Sequence, residues 1–232
     1  MFLLYMDFIT ALKTNQAFTY AKYGDGEYLC AIKRNGQNCD NTKYTEKLSN
    51  AIIKSYKYLA PQSNCYIGRW TDGKVDAFFE RMVKPNWRDY SEFIFFDKIQ
   101  FYEKLNLFRA IKEAPQQKIY CSNEVNSKVA PIFNIDTCVI VHPSDWFEHD
   151  YDTILAETKA AVINPDSVII LTSAGMGAKP LMADLRQCYP NAILIDIGSA
   201  FDTFVYRKSR SHNLNFTKSD TNDFIKSLNI SE

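Results

Sequence analysis

The sequence has no excess of either charge, because 27 lysine and arginine residues balance 27 aspartate and glutamate residues. A nucleic-acid-binding protein usually shows a basic excess or a basic stripe, and this sequence shows neither. Its densest basic cluster, residues 207–210, is short. Such a cluster is typical of a solvated tail, although it could also contact an anionic lipid head group or a substrate phosphate. We therefore expect no nucleic acid among the partners.

Closely spaced cysteines and long apolar runs are missing as well. The six cysteines include no C-x-x-C pair, so the pattern favours a reduced, cytoplasmic protein over a disulfide framework. No stretch approaches the roughly 20 apolar residues of a membrane-spanning helix, and the apolar opening at residues 1–6 is too short for a signal peptide. We expect a cytoplasmic protein without a membrane span, peripheral to the inner membrane if a partner or substrate holds it there.

Linkers are the third absence. No stretch rich in Pro, Gly or Ser divides the 232 residues, and no internal repeat is present. A chain of this length can bury one large core, and its 46% of hydrophobic residues is ordinary for a soluble globular protein. The sequence therefore predicts a single domain over residues 1–232, with a polar tail or a short closing helix from about residue 207.

Apolar runs rich in strand-forming residues alternate with segments of helical pattern. Several runs are continuously apolar, as in strands buried on both faces of a parallel sheet. Strands are predicted at residues 17–23, 65–68, 93–96, 118–121, 137–141, 167–172 and 192–197. Helices are predicted at residues 46–59, 75–83, 101–113, 151–162 and 178–188. This alternation predicts a doubly wound α/β fold, with a mainly parallel sheet and helices on both faces.

The acidic tetrapeptide Gly24-Asp25-Gly26-Glu27 follows the first predicted strand. Ligands of open α/β sheets bind at the carboxyl ends of the strands, so the two carboxylates stand where a ligand is expected. Two hard oxygen ligands suit Mg²⁺ or Mn²⁺, which keep several waters and share the phosphates of a ligand. The alternative is a solvated surface turn, because Asp and Gly are common in turns.

Polar residues also follow other predicted strands. Arg69 follows the second strand, Ser173 follows the sixth, and Asp196 stands near the end of the seventh. Because the carboxyl ends of parallel strands share one edge of the sheet, we expect these side chains to meet the acidic tetrapeptide there. An edge that combines carboxylates, cations, hydroxyls and glycines indicates a site for a metal-bound phosphate ligand.

A glycine-bearing segment joins the sixth predicted strand to the last predicted helix: it contains Gly175 and Gly177, followed by Lys179. Backbone N–H groups point outward at such a helix start, and glycine lets a phosphate approach closely. Asp196, about 20 residues further on, completes part of a dinucleotide-binding pattern. However, Pro180 occupies the third glycine position of that pattern. Phosphate or sugar binding and a plain tight turn both stay open.

Three segments occur in an order that resembles a known family. They are the Tyr23-Gly-Asp-Gly-Glu27 motif, the segment His142-Pro-Ser-Asp-Trp-Phe147, and residues 169–185 followed by Asp196-Ile-Gly198. Together they resemble the bacterial GT-D glycosyltransferases, a family first described as a domain of unknown function. The resemblance extends from about residue 18 to about residue 206, and the acidic motif is its most specific part.

The resemblance implies a Rossmann-like single domain that transfers a sugar from a nucleotide-sugar donor to an acceptor hydroxyl. It assigns the D-x-E pair, Asp25 and Glu27, to a divalent cation (Mn²⁺ or Mg²⁺) and to the donor diphosphate. A metal there would neutralise charge on the departing nucleoside diphosphate. An inverting reaction also needs a carboxylate that deprotonates the acceptor, for which Asp202 is preferred and Asp196 is the second candidate.

Two positions depart from the family pattern. Lys22 stands where many members carry arginine before the acidic motif, so the positive charge is kept but the two-pronged guanidinium is lost. Ser199 stands where many members have histidine after the D-I-G sequence. No histidine role can therefore be transferred to this chain.

We expect a metal-dependent glycosyltransferase of hexosyltransferase type that uses a nucleoside-diphosphate sugar, with a UDP-sugar favoured. The expected acceptor is a glycan, a glycolipid or a glycoprotein of bacterial surface-polysaccharide synthesis. The alternatives are a nucleotide-binding enzyme of another class, such as a methyltransferase that uses S-adenosylmethionine, and a non-catalytic module that binds a nucleotide or sugar. The residues expected to bind the donor are Lys22, Gly24, Gly26, Arg69, Ser173, Gly175, Gly177 and Lys179.

Overall fold

The computed structural model describes residues 7–70, 72–142, 145–206 and 215–229. Within these residues, seven parallel strands form one sheet in the order β3-β2-β1-β7-β6-β4-β5. The strands are β1 (Thr19–Lys22), β2 (Cys65–Arg69), β3 (Asn86–Asp89), β4 (Gln117–Ser122), β5 (Thr137–Ile140), β6 (Val168–Ser173) and β7 (Ile193–Asp196). The prediction of an α/β fold with a parallel sheet is confirmed.

Twelve α-helices lie before, between and after the strands in the described part of the chain. They are α1 (Phe8–Thr14), α2 (Asp25–Ala31), α3 (Glu46–Leu59), α4 (Gly73–Glu80), α5 (Lys98–Glu103), α6 (Leu105–Glu113), α7 (Glu124–Ser127), α8 (Ala130–Phe133), α9 (Trp146–His149), α10 (Tyr151–Ala161), α11 (Ala178–Cys188) and α12 (Lys218–Leu228). Two 3₁₀ turns, Gly175–Gly177 and Ala200–Val205, follow β6 and β7. None of these helices is both long enough and apolar enough to cross a membrane.

Helices cover the sheet on both faces, with an apolar layer beneath each set. One layer contains Ala21 and Ile170 of the strands and Leu181 of α11. The opposite layer contains Leu171 of β6 and Phe108 of α6. Because neighbouring residues of a strand point to opposite faces, the continuous apolar runs of β6 and β7 supply both layers. The prediction of strands buried on two sides is therefore confirmed.

The strand order reverses beside β1. Strands β2 and β3 lie on one side of β1, whereas β7, β6, β4 and β5 lie on the other. In open α/β sheets, ligands bind in the crevice outside the carboxyl ends of the strands at such a reversal. The segments that follow β1 and β7 are therefore where a ligand site is expected.

The prediction of a strand at residues 93–96 is wrong. Phe93 and Phe95 are buried, but they lie in the turn after β3, where their rings contact those of Tyr20 and Phe108. The strand of this region is β3, at the edge of the sheet, where it pairs with β2 alone. The apolar run reflects burial under the sheet rather than strand pairing, and the polar sequence of β3 is tolerated because an edge strand is half covered.

The predicted helix at residues 101–113 is divided into two helices, α5 and α6, which meet at Lys104. Lys104 Nζ donates hydrogen bonds to the carbonyl oxygens of Ser91 at 2.6 Å and Ile94 at 2.5 Å. Lys104 is thus the residue at which the two helices are separated, and its side chain holds the turn that follows β3.

Helix α12 closes the described chain and buries Phe224 and Leu228. It corresponds to the closing helix that was one of the two predictions for the segment after residue 206. Four segments that the sequence analysis mentions lie outside the described residues: the apolar opening at residues 1–6, residues 143–144 of the family-like segment, residues 207–214 with the basic cluster, and residues 230–232.

A buried arginine ties the two central strands together at their amino ends. Arg186 of α11 is 2% exposed, and its guanidinium donates to Thr19 Oγ1 at 2.8 Å and to the carbonyl oxygens of Phe18 at 2.6 Å, Pro190 at 2.6 Å and Ala192 at 2.8 Å. These acceptors belong to the segments that lead into β1 and β7. The planar guanidinium can satisfy several fixed carbonyl groups at once, which an ammonium group cannot.

We expect the substitution Arg186→Met to lower the free energy of unfolding by at least about 3 kcal/mol, measured by urea denaturation. Methionine keeps the apolar stem but removes the guanidinium that donates to the carbonyl groups of Pro190 and Ala192 and to the Thr19 hydroxyl, and each buried group left without a partner costs about 1–3 kcal/mol. The control is Arg81→Met, at an exposed arginine that bonds a carbonyl group of its own helix, for which a change below about 0.5 kcal/mol is expected. Equal effects of the two substitutions would contradict the role given to Arg186.

Candidate functional site

The acidic tetrapeptide is the start of a helix. Gly24 is the N-cap of α2, which begins at Asp25, three residues after the end of β1 at Lys22. Glu27 folds back so that its Oε2 accepts a hydrogen bond from the Gly24 N–H at 2.9 Å. Carboxylates stabilise the first turn of a helix because the free N–H groups there carry partial positive charge. The predicted turn is thereby corrected to a helix N-terminus at the carboxyl end of β1.

Four charged side chains meet behind this helix start; we call Lys22, Glu27, Lys179 and Asp196 the lysine–carboxylate cluster. All four are buried, with exposed fractions of 3%, 8%, 5% and 2%, respectively. Lys179 Nζ lies 2.9 Å from Glu27 Oε1 and 2.8 Å from Asp196 Oδ2. The sequence placed these residues at one edge of the sheet, and the structure brings them into contact.

Lys22 joins the cluster from the end of β1. Its backbone N–H donates to Asp196 Oδ2 at 3.3 Å, and its Nζ lies 3.9 Å from Asp196 Oδ1. Gly198 makes room for this ammonium group, since a Cβ at that position would lie 2.4 Å from Lys22 Nζ and its φ of +57° also favours glycine. The D-I-G sequence therefore supplies both a carboxylate and the space for its cation.

The charges of the cluster shift the pKa values of Lys179 and Asp196. Burial alone would lower the pKa of Lys179, but the carboxylates of Asp196 and Glu27 outweigh burial and raise that pKa. Burial would likewise raise the pKa of Asp196, and the ammonium groups of Lys179 and Lys22 lower it below its ordinary value. The charged forms of Lys179 and Asp196 are therefore both favoured, at the edge of the sheet where β1 and β7 end.

Asp25 stands in front of the cluster, on the solvent side. Its side chain is exposed, and its Oδ1 accepts a hydrogen bond from the Gly26 N–H at 2.9 Å. Across residues 7–70, 72–142, 145–206 and 215–229, no group of three or more His, Cys, Asp or Glu side chains is arranged to hold a metal ion. A cation at Asp25 and Glu27 would therefore need further ligands from a bound molecule or from water.

Two side chains of the protein fill the space next to Gly26, at the start of α2, and next to Gly175, in the turn before α11. The Asn38 Oδ1 lies 2.9 Å from the position of a Cβ on Gly26, and the Asp40 Oδ2 lies 2.3 Å from that of Gly175. Both side chains belong to one hairpin, residues 36–44, which a bridge between residues 37 and 43 closes. This hairpin reaches from the start of α2 to the turn before α11.

Gly177 is required by packing. A Cβ on Gly177 would lie 2.4 Å from the Trp146 ring, and the Trp146 Nε1 donates to the Ala174 carbonyl oxygen at 3.2 Å. Of the two readings that the sequence left open for the Gly175–Gly177 turn, the structure displays the features of a tight strand–helix connection.

A second polar group lies on the other face of the sheet, after β4, β6 and β7. The Tyr120 hydroxyl donates to Ser173 Oγ at 2.8 Å, and Ser173 Oγ donates to the Gly198 carbonyl oxygen at 2.5 Å. The buried Asp202, in the 3₁₀ turn after β7, accepts a hydrogen bond from Asn126 Nδ2 at 2.6 Å. Ser173 and Gly198 thus link this group to the lysine–carboxylate cluster.

Arg69 lies at the end of β2 but is directed away from the cluster. Its side chain is 61% exposed, its Nε lies 3.3 Å from Asp76 Oδ2, and its guanidinium stacks 5.6 Å from the centre of the Trp87 ring. Asp76 also accepts a hydrogen bond from the Trp70 N–H at 2.9 Å. Arg69 therefore orders the segment that carries Trp70, and its predicted contact with a donor stays a prediction.

Tyr90 is the residue of this region that the sequence did not reveal. It follows β3, and because the strand was predicted at residues 93–96, no strand end was expected there. Its hydroxyl lies 3.1 Å from the position of a Cβ on Gly24, and its ring contacts that of Trp70 with centres 4.4 Å apart. Tyr90 and Trp70 form an aromatic wall beside the start of α2.

Comparison with known proteins finds similarity in structure but not in sequence. No protein-family model matches the sequence, and no curated protein matches it. Two solved structures are similar in fold: a selenomethionine-substituted structure of domain of unknown function 1792 (DUF1792), with a TM-score of 0.59, and a structure of that domain described as having a distinct glycosyltransferase fold, with a TM-score of 0.58. In each case the identity is 18%, over 84% of this chain and 76% of the other.

The chain has the DUF1792 fold. The resemblance drawn from the sequence is thus confirmed at the level of architecture. In this chain, the DUF1792 fold places the acidic helix start and the lysine–carboxylate cluster at the carboxyl ends of adjacent strands, beside the reversal of strand order.

We expect Lys179→Met to lower the free energy of unfolding by about 3–5 kcal/mol, because the substitution leaves two buried carboxylates without their main cation. The measurement is urea denaturation at pH 7. The control is Lys33→Met: Lys33 also forms an ion pair, with Glu46 at 2.6 Å, but both side chains are more than half exposed, and such pairs are worth at most about 1 kcal/mol. The importance of the cluster would be refuted by a Lys179→Met protein as stable as the control.

Proposed function

We propose that this protein is a glycosyltransferase that moves a sugar from a nucleoside-diphosphate sugar to a hydroxyl group of a glycan, glycolipid or glycoprotein, with UDP-sugars as the favoured donors. One observation carries the proposal: two lysines and two carboxylates converge where strand order reverses, at the start of the helix that also carries Asp25, in a chain with the DUF1792 fold. That fold is described for its solved neighbour as a glycosyltransferase fold. Diphosphates are recognised by cations, either lysine ammonium groups or metal ions.

The residues at the helix start fit a divalent cation that is shared with a diphosphate. Asp25 offers an exposed carboxylate, whereas both oxygens of Glu27 already accept bonds, one from Gly24 and one from Lys179. Mg²⁺ and Mn²⁺ commonly use one or two carboxylates together with substrate phosphates and water. Asp25 and Glu27 would thus hold the cation jointly, with Asp25 on the open side. When bound, the cation would neutralise charge on the departing nucleoside diphosphate.

The lysines contribute fixed positive charge. Lys22 and Lys179 are held by Asp196 and Glu27 before any ligand arrives, so their positions need no reorganisation during the reaction. Charges fixed in advance stabilise developing charge more strongly than mobile ones. The carboxylates of the cluster therefore act by positioning the cations that face the diphosphate.

Asp202 is the better of the two candidates for the base that accepts the acceptor proton. Lys179 and Lys22 lower the pKa of Asp196, and a carboxylate stabilised in this way is a weak proton acceptor. Asp202 accepts a hydrogen bond from the amide of Asn126, and it lies in the 3₁₀ turn after β7, four residues beyond Gly198. We assign Asp196 to the positioning of lysine and Asp202 to proton transfer.

A thermal-shift panel of UDP-, GDP- and dTDP-sugars tests the donor. We expect at least one UDP-sugar to raise the melting temperature with Mn²⁺ present, because a ligand at 100 times its Kd adds about 2.7 kcal/mol of stability. Asp25→Asn should abolish most of the shift. The control is Asp97→Asn, at the N-cap of α5, where asparagine caps equally well and the shift should persist.

The same panel separates the alternatives. No stabilisation by any nucleoside diphosphate or sugar nucleotide would refute the proposal. Stabilisation by S-adenosylmethionine, indifferent to Mn²⁺ and to Asp25→Asn, would favour a methyltransferase. Tight donor binding without hydrolysis or transfer of the sugar would indicate a non-catalytic module.

A further inference from the structure

Tyr90 reaches the start of α2 because three features of the sequence hold its backbone there. Gly68 of β2 lets the chain pass closely, since a Cβ on Gly68 would lie 3.2 Å from the Tyr90 Cα. The Tyr20 hydroxyl of β1 donates to the carbonyl oxygens of Asp89 at 2.7 Å and Tyr90 at 2.8 Å. The segment after the edge strand is thereby fixed to the two strands beside it.

The side chain of Tyr90 is fixed as well. Its ring stands at 77° to the ring of Trp70, with the centres 4.4 Å apart, a geometry that favours aromatic pairs. Lys22 Nζ also lies 5.8 Å from the centre of the Tyr90 ring. The phenol ring therefore contacts an indole and has an ammonium group of the lysine–carboxylate cluster nearby.

The hydroxyl of Tyr90 faces the place where the acidic helix begins. The space in front of the Gly24 Cα is bounded by the Tyr90 hydroxyl, the Trp70 ring and Glu27 Oε2, which lie 3.1, 3.5 and 3.6 Å from the position of a Cβ. Among the hydrogen bonds of the described residues, none uses this hydroxyl group. Packing has thus placed a donor at the helix start without giving it a partner there.

The phenol keeps its proton in this environment. Burial and the nearby carboxylate of Glu27 raise its pKa above the ordinary value, although Lys179 acts in the opposite direction. A neutral phenol can donate a hydrogen bond to an anion and is not itself repelled by it.

We infer that Tyr90 is a donor-contacting catalytic residue, whose hydroxyl group donates a hydrogen bond to the diphosphate of a sugar nucleotide bound at the start of α2. The inference rests on the proposed function and adds a residue to it.

In the transfer, the bond between the sugar C1 and the β-phosphate oxygen breaks, and its electron pair stays on the phosphate. The acceptor oxygen bonds to C1, and its proton passes to Asp202. Tyr90 keeps its proton, and its hydrogen bond strengthens as negative charge grows on the leaving phosphate.

Trp70 has a supporting role in this arrangement. Its ring contacts the ring of Tyr90, so it limits the rotation of the phenol. The hydrogen bond from the Trp70 N–H to Asp76 and the pairing of Asp76 with Arg69 fix the tryptophan in turn. Arg69 therefore acts through Trp70 and Tyr90, which accounts for its position at the site edge with its guanidinium turned outward.

The test is the substitution Tyr90→Phe, which removes one oxygen atom and keeps the ring that contacts Trp70. The assay follows release of UDP from the UDP-sugar that stabilises the wild-type protein most, with Mn²⁺ present. We expect kcat to fall about 10–100-fold, the range for loss of a hydrogen bond to a charged group, and KM for the donor to change less than about threefold. The control is Tyr102→Phe, at an exposed tyrosine of α5, which should keep wild-type constants.

The outcomes distinguish this inference from the proposed function. A Tyr90→Phe enzyme with wild-type kcat and KM would overturn the inference and leave the glycosyltransferase intact. A rise in KM with unchanged kcat would also overturn it, because the hydroxyl group would then bind substrate and transition state equally. A wild-type protein that neither binds UDP nor releases it from any sugar nucleotide would overturn both. The melting temperature of each variant, compared with wild type, checks that the fold is retained.

Discussion

Lys179 enters the interior from helix α11 and ends between two carboxylates, one from the start of α2 and one from the end of β7. An ammonium group in this position is tolerable only while both partners stay in contact, because an unpaired buried charge is several kcal/mol less stable than a paired one. The separation between α2, β7 and α11 is therefore fixed by electrostatics as well as by apolar packing. The site owes its geometry to this constraint.

Buried ion pairs are rarely the most stable solution for a protein interior, since well-packed apolar residues of similar volume often do better. The lysine–carboxylate cluster lies at the edge where open α/β sheets generally bind their ligands, so the proposed function gives it a use beyond stability. Charged groups that already face each other can turn toward a diphosphate without first being desolvated. The cost of burying them is met during folding and not during binding.

The sequence predicts the centre of this protein better than its edges. Strands β6 and β7 are continuously apolar and were found directly, because burial on two faces leaves that pattern. Strand β3 is polar and lies at the edge of the sheet, so the strand was predicted instead at the apolar segment that contains Phe93 and Phe95. The acidic motif was located correctly, but its helical form was not. Tyr90 could not be found at all, because its role arises from the close passage of the chain over Gly68, a tertiary contact without a local signal.

The middle of the sheet is made from the two ends of the described chain. The hydrogen bond between the Lys22 N–H and Asp196 joins residues 174 positions apart, and the strands that carry them lie side by side. Pairings of such long range form late, because a large loop must close before any contact compensates for the lost entropy. During synthesis on the ribosome, β1 waits without its neighbour until β7 emerges. The charge cluster therefore cannot assemble before β7 has been synthesised, and a shorter nascent chain has no binding site to expose.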